Sequence, residues 1–210
     1  MCFSATASFV AGTALSAVGV VTIKKAKIKK ELPFAMIPLL FGVQQFVEGA
    51  VWLSFQYSAQ IFNQIATYAY LGFAYVLWPI FVPFSIGLLE TDPHRKKILY
   101  LFQVIGLAVG VYLLYFIVSN PMVSNIVNKS VVYTMPSTHG VTIVSMYILA
   151  TCISCLFSSR RIINIFGILA TISLMFAYYF YITSYVSVWC FLSAILSGVV
   201  YLYFRNISVT

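Results

Sequence analysis

The chain has 210 residues, of which 62% are hydrophobic and only 8% are charged. Soluble domains carry roughly a quarter charged residues, so this composition excludes a soluble globular domain and indicates a polytopic membrane protein. The formal net charge of +8 is explained by cationic connections that face anionic lipid headgroups. It therefore calls for the lipid bilayer as a partner and for no nucleic acid.

Seven apolar segments are long enough, at about 17 to 25 residues each, to cross a hydrocarbon core of roughly 30 Å. They cover residues 3–23, 32–55, 64–89, 98–118, 140–157, 162–182 and 186–204. The alternating pattern of a porin-type barrel does not appear, so helices must satisfy the backbone in lipid. The sequence predicts an all-α bundle of seven transmembrane helices in one domain, residues 1–210.

The first apolar segment has its positive charges after it, whereas a signal peptide has them before it. We therefore expect residues 3–23 to remain in the mature protein.

The basic residues predict the orientation of the bundle. Eleven of the twelve Lys and Arg residues fall in connections on one side, and only Lys129 falls on the other. By the positive-inside rule, the side with eleven is cytoplasmic. The N-terminus is then outside and the C-terminus is in the cytoplasm. The eleven residues are Lys24, Lys25, Lys27, Lys29, Lys30, Arg95, Lys96, Lys97, Arg160, Arg161 and Arg205.

Glu48 is the only ionisable side chain in the middle of a membrane-length apolar run. A carboxylate at the bilayer centre costs on the order of 2.5 to 3.5 kcal/mol, so it usually faces a protein interior or a wet cavity and usually serves a function. Gln44, Gln45 and Trp52 share its helix face, because they stand three or four residues from it. This polar stripe predicts a ligand-binding pocket, and the alternative is a clamp of hydrogen bonds between helices.

His139 follows the only long connection, residues 119–138, and begins the fifth segment on the side to which Glu48 is closest. One interpretation is a polar helix end. The other is an acid-base or ligand-binding pair of Glu48 and His139, which are the two candidate catalytic residues. Tyrosines, including Tyr181, crowd the same end of the sixth segment. They indicate either an interfacial aromatic belt or a wall of the pocket.

Cys2 precedes the first segment, and Cys190 lies about one turn into the last. In a ring of seven helices the first and last are neighbours, so these two cysteines are candidates for a disulfide outside the cytoplasm. We expect no metal site, because the two His residues lie on opposite sides of the membrane and no paired-Cys ligand set accompanies them. No cofactor is predicted.

Several short motifs occur together along the chain. They are the opening Met-Cys-Phe-Ser-Ala, the run from Pro38 through Glu48 to Trp52, Trp78-Pro79 with Pro83 and Glu90, and the string from Ser187 to Phe191. Together they resemble an uncharacterised family of small bacterial multi-spanning membrane proteins. The resemblance implies a multi-pass protein of the bacterial inner membrane and draws attention to Cys2, Glu48 and Cys190. It implies no activity.

Three function classes follow from these observations. The favoured one is binding or transport of a small solute in an outward-facing polar pocket built from Gln44, Gln45, Glu48, Trp52, His139 and Tyr181. The second is a membrane-embedded enzyme that uses Glu48 and His139 on a lipid-like substrate. The third is a structural or assembly protein whose polar residues only join helices. The sequence identifies neither the ligand nor the oligomeric state.

Overall fold

A computed structural model describes residues 4–134 and 140–207, and this part of the chain is predominantly helical. Six of its helices are long and apolar enough to cross a membrane, and a shorter apolar helix lies between the fourth and the last two of them. The chain is therefore a helical membrane protein. The helices are α1 Ala5–Lys25, α2 Lys29–Gln56, α3 Gln60–Leu89, α4 Pro93–Ser119, α5 Val141–Leu156, α6 Arg161–Phe180 and α7, which runs Tyr185–Leu196 and resumes after Ser197 as Gly198–Ile207.

Two helices begin several residues before the apolar segments that predicted them. α4 begins at Pro93 because Asp92 caps it: the Asp92 carboxylate accepts a hydrogen bond from Arg95 N at 2.9 Å, and Pro93 occupies the first turn. This backbone hydrogen bond is also the main reason that the pKa of Asp92 lies below its ordinary value. α3 begins at Gln60, directly after a reversal in which Ser58 adopts a left-handed backbone with φ of 50°. Hydrophobicity alone misses both starts, because caps and turns are polar.

Close packing of α1 on α2 depends on small residues. A Cβ atom at Gly19 would lie 2.5 Å from Leu39 N, and one at Gly42 would lie 2.5 Å from Ser16 Oγ. Glycine is the residue that lets two helix backbones approach this closely, as is common between helices in lipid. The side of α2 that carries Gly42 therefore faces α1.

The middle of α3 departs from regular α-helix. Residues Gly72–Leu77 are π-helical, and Trp78 and Pro79 follow. Proline has no N–H for the carbonyl four residues earlier, so Pro83 leaves the Pro79 carbonyl without its usual helical donor. That carbonyl faces Gly106 of α4, where an added Cβ would lie only 1.9 Å from the oxygen. The backbones of α3 and α4 are therefore in close contact at Pro79 and Gly106.

The connection between α4 and α5, in which the sequence predicted no element, contains a β-hairpin. Strand β1 is Val123–Val127, β2 is Ser130–Thr134, and the two pair antiparallel. Asn128 and Lys129 form the turn, with φ of 49° and 58°. Left-handed backbone at both turn residues is the geometry of a tight two-residue hairpin, and it suits Asn. We call this end of the bundle the hairpin end and the opposite one the basic end, after the Lys and Arg residues there.

The largest apolar cluster fills the basic-end half of the bundle. Its fully buried members come from six helices and include Phe34, Ile86, Leu99, Ile163 and Phe204. Among the described residues, the hairpin-end half contains only small apolar clusters of three buried residues each. Packing is therefore tight at the basic end and leaves room at the hairpin end.

Glu90 joins two connections at the basic end. Its buried carboxylate accepts hydrogen bonds from Ser159 N at 2.7 Å, from Ser159 Oγ at 2.9 Å, and from the backbone of Thr91 and Asp92. Burial of Glu90 opposes ionisation, but these hydrogen bonds outweigh it and hold the pKa of the carboxyl below its ordinary value. The ionised carboxylate of Glu90 therefore joins the α3–α4 and α5–α6 connections by hydrogen bonds.

Candidate functional site

A cavity of about 420 Å³ lies in the hairpin-end half of the bundle. Small-molecule sites typically measure roughly 300 to 1,000 Å³, so its size suits a small ligand. Helices α3 to α7 and strand β2 all contribute to its wall. Its polar and aromatic lining residues are Tyr75, Tyr133, Tyr147, Tyr178, Thr183, Ser184, Tyr185, Ser187, Trp189 and Cys190.

The aromatic rings of the wall contact one another edge to face. Tyr147 makes a T-shaped contact with Tyr75 at an interplanar angle of 65°, and another with Trp189, also at 65°. Tyr178 and Tyr185 meet at 75°. The hydroxyl groups of Tyr75 and Tyr185 interact and connect the two sets. Five rings thus form walls at steep angles to one another around one space.

Two π-helical segments border the cavity. The segment of α3 contains Tyr75, and a second segment in α5, Leu149–Ile153, begins two residues after Tyr147. π-helical turns within α-helices are rare and frequently lie at functional sites. The Tyr147 hydroxyl donates a hydrogen bond to Ala74 O inside the first segment. The tyrosine that shapes the wall therefore also satisfies a carbonyl of the irregular helix.

Glu48 lies directly behind the cavity wall. It is fully buried, and its Oε1 accepts a hydrogen bond from the hydroxyl of Ser187, a residue that lines the cavity. The side chain of Cys190, which also lines the cavity, interacts with Glu48, Gln44 and Tyr70. Glu48 and Gln44 of the predicted polar stripe are therefore connected to the cavity through Ser187 and Cys190 of α7.

Gln44 links this region to α3. Its Oε1 accepts a hydrogen bond from the indole N–H of Trp78 at 2.8 Å, and the Trp78 ring stacks on Phe41 at 3.9 Å between centroids. A void of about 40 Å³ is lined by Phe41, Trp78 and Cys190 among others, and it adjoins the main cavity. The cavity therefore extends toward the middle of the bundle.

Two other predicted residues of the stripe lie elsewhere. Gln45 is fully buried, yet among the described residues neither of its amide atoms has a hydrogen-bond partner. Trp52 packs with Val51, Ala66 and Val131 beneath the hairpin, and its indole N–H is without a partner in the described part of the chain. Neither residue lines the cavity. A shared helix face is thus too coarse to separate Gln44 from Gln45.

The structure bears on the remaining predicted residues to different degrees. Tyr181 directly follows α6 and does not line the cavity, whereas its neighbours Tyr178 and Tyr185 do. His139 and Cys2 lie outside the described residues. The pairing of His139 with Glu48 and the disulfide of Cys2 with Cys190 therefore stay predictions. Cys190 itself is buried at the cavity wall.

The hairpin covers the cavity and is fixed to α3. Thr67 Oγ1 donates to Ser124 Oγ at 2.8 Å, and Ser124 Oγ donates to Asn63 Oδ1 at 3.1 Å. The Tyr133 ring stacks on Tyr70 at 4.4 Å between centroids. These contacts place Val131 and Tyr133 of β2 in the cavity wall. The hairpin is therefore part of the site.

A gap between α5 and α6 leads from the cavity to the outside of the bundle. Near the basic end the two helices are in close contact, because a Cβ at Gly167 would lie 2.5 Å from the Cys155 Cβ. Toward the hairpin end, Val144 of α5 and Tyr178 of α6 both line the cavity and remain 45% and 58% exposed.

The sequence did not indicate Ser187 or Tyr147 as parts of the site, whereas Tyr185 is one of the tyrosines that the sequence places at the end of the sixth segment. Ser187 is identified by its hydrogen bond with Glu48, a residue 139 positions earlier in the sequence. No local sequence pattern predicts such a contact. The Ser187-Val188-Trp189-Cys190 motif was the only available signal. Within residues 4–134 and 140–207, no group of three or more His, Cys, Asp or Glu side chains is arranged to hold a metal ion.

Comparison with known proteins assigns the chain to a family. A family model described as a family of unknown function, DUF6629, matches residues 1–209. The chain belongs to this family. Membership confirms the resemblance to an uncharacterised family and supplies no activity. No curated protein and no solved structure matches the chain.

Proposed function

We propose that this member of DUF6629 binds a small solute in the hairpin-covered cavity, as a carrier or sensor of the bacterial inner membrane. The observation that carries the proposal is the position of Glu48. It is a fully buried carboxyl group that accepts a hydrogen bond from Ser187 of the cavity wall. A purely structural clamp has no need of a cavity of about 420 Å³ beside it.

The proposed topology is a single domain of seven spanning helices with the N-terminus outside and the C-terminus in the cytoplasm. It rests on the Lys and Arg residues that mark the basic end. α5 is the short member, and its residues 141–156 extend about 24 Å at roughly 1.5 Å per residue. Such a helix spans a core of roughly 30 Å only with the residues that flank it.

Cysteine labelling tests the topology. In a background without native cysteines, Ser58→Cys and Lys129→Cys should react with a membrane-impermeant maleimide added to intact cells. Lys27→Cys and Lys97→Cys should react only after the cells are opened. All four positions are exposed. Reaction of position 27 in intact cells would reverse the proposed orientation.

Ligand-dependent stability tests the binding site. The purified protein is heated in detergent with a panel of small amines, amino acids, sugars and carboxylates. A ligand that binds the folded state raises the midpoint of unfolding. Val144→Trp should fill the cavity and abolish this stabilisation, because Val144 lines it.

Val141→Trp is the matched control, since Val141 stands one turn earlier in α5, is 84% exposed and does not line the cavity. It should keep the stabilisation seen in the wild type. If no class of solute stabilises the wild type more than Val144→Trp, the binding proposal is wrong.

A further inference from the structure

We propose, on the basis of the binding function above, that the ligand of this cavity carries an organic ammonium group, held among the tyrosine rings, with the carboxyl group of Glu48 behind Ser187 as its counter-charge. Three properties of the described residues lead to this ligand class. They are the distribution of charge, the arrangement of the rings and the direction of the opening.

The charge distribution favours a cation. The chain has four acidic residues; Glu31 lies in the first turn of α2, and Glu90 and Asp92 lie in the α3–α4 connection, all at the basic end. Glu48 is therefore the only carboxyl group near the cavity. The cavity wall formed by described residues contains no Lys or Arg, so no positive side chain there competes for Glu48. An anionic ligand would face a buried carboxyl group with no cation to offset the repulsion.

The rings suit an ammonium group better than a metal ion. A cation is attracted to the face of Trp or Tyr within about 6 Å of the ring centroid, and sites for quaternary ammonium groups consist of several such rings. The walls here contain five tyrosines and Trp189. Ring planes meet at 65° to 75°, so one group in the centre faces several rings. The serines and Thr183 add hydroxyl groups for a polar substituent.

The opening between α5 and α6 admits two sources of the same chemistry. A free alkylammonium ion can enter from water beneath the hairpin, and a lipid headgroup with an ammonium group can enter from the bilayer with its chains left outside. Both place the ammonium group next to Ser187. The distinction lies in whether an alkyl chain improves binding.

Choline and its neutral isostere 3,3-dimethylbutan-1-ol test the charge directly. The two have nearly the same shape, and only choline is positive. Titration calorimetry on the full-length protein in maltoside detergent should show choline binding at least about tenfold more tightly than the isostere, a ratio that corresponds to about 1.4 kcal/mol. Equal affinity would overturn the ammonium proposal while leaving solute binding intact. Absence of heat with both probes would also overturn it, and the stability panel with Val144→Trp then decides the binding function separately.

Two sets of variants test whether Glu48 and the tyrosine rings bind the ammonium group. Glu48→Gln keeps the shape of the side chain and should weaken choline at least about tenfold without changing affinity for the isostere. Tyr178→Leu should weaken choline severalfold, whereas Tyr178→Phe, which keeps the ring, should not. Tyr179→Leu is the control, because Tyr179 is 81% exposed and does not line the cavity. If Tyr178→Leu binds choline like the wild type, the rings do not hold the cation and the proposal fails, whatever Glu48→Gln does.

Dodecyltrimethylammonium distinguishes the two sources. Binding far tighter than that of choline, in the wild type and not in Val144→Trp, identifies a headgroup that carries a chain through the gap between α5 and α6. Equal affinity for both probes identifies a free ammonium compound. Either result supports the ammonium site. If choline and dodecyltrimethylammonium do not compete for binding, a shared site is refuted.

Discussion

Gln44 and Gln45 are adjacent and fully buried, yet replacing each by Met should change stability in opposite directions. Met has a similar length and no amide, so each substitution removes hydrogen-bonding atoms while keeping most of the volume. Gln44→Met should lower the free energy of unfolding. Gln45→Met should raise it.

The magnitudes follow from the hydrogen bonds of the two side chains. Gln44 accepts from the Trp78 indole at 2.8 Å, and its loss leaves a buried N–H without a partner, which costs about 1 to 3 kcal/mol. Interhelical hydrogen bonds in membranes reach about 1.7 kcal/mol, so we expect a loss of about 1 to 2 kcal/mol. Gln45 has no partner among the described residues. Its replacement removes the cost of an unpaired buried amide, and we expect a gain of about 1 kcal/mol.

Steric-trapping measurements in bicelles report free energies of unfolding for both variants against the wild type. The expected difference between the two variants is about 2 to 3 kcal/mol, the sum of these two estimates. Trp78→Phe provides the control for Gln44, because Gln44→Met should cost little once the indole N–H is gone. A destabilisation by Gln45→Met as large as that by Gln44→Met would refute the reasoning, since it would mean that the Gln45 amide is bonded in the folded protein.

Three further predictions concern the basic end, helix packing and the thiols. Glu90→Gln should lower the free energy of unfolding by about 1 to 2 kcal/mol at pH 7. Because the folded pKa of Glu90 is lowered, the stability that its carboxylate contributes is present above the ordinary pKa of about 4.3 and is lost as pH falls through the folded pKa. The stability of the variant, measured by unfolding at a series of pH values, should not show this loss. Gly106→Ala should prevent stable folding, seen as loss of the monodisperse peak in size-exclusion chromatography, because the new Cβ would overlap a carbonyl oxygen of α3. Gly87→Ala, where the nearest atom is 3.9 Å away, should be tolerated. Mass spectrometry of protein purified without reductant should find a peptide linking Cys2 and Cys190, and full alkylation of both thiols in the denatured, unreduced protein would exclude the bridge.

Some features of the site follow from local sequence and were predictable. Apolar runs of sufficient length predicted a helical membrane protein, since lipid leaves backbone groups no other partner than the helix. The spacing of Gln44 and Glu48 placed them on one helix face, because the α-helical repeat is the same in any surroundings. The cost of a carboxyl group in lipid identified Glu48 as the residue of interest.

The hairpin lay at the edge of what was predictable. Strands rich in β-branched residues lie on both sides of the Asn128-Lys129 turn, and Asn is a favoured residue for the left-handed backbone of a tight turn. Two short strands are marginal by themselves. Their stability comes from contacts with α3 through Ser124 and Tyr133, which no local pattern reveals.

The sequence by itself determined the class of protein, the helical segments and the face of α2 that carries the polar residues. Only the tertiary structure decided that Gln44 has a partner while Gln45 has none among the described residues, that Ser187 connects Glu48 to a cavity, and that Tyr178 lines this cavity while Tyr181 does not. The physical reason is that helical periodicity determines which residues share a face. Which faces meet depends on close contacts between distant segments, such as Gly106 against α3 and Gly42 against α1.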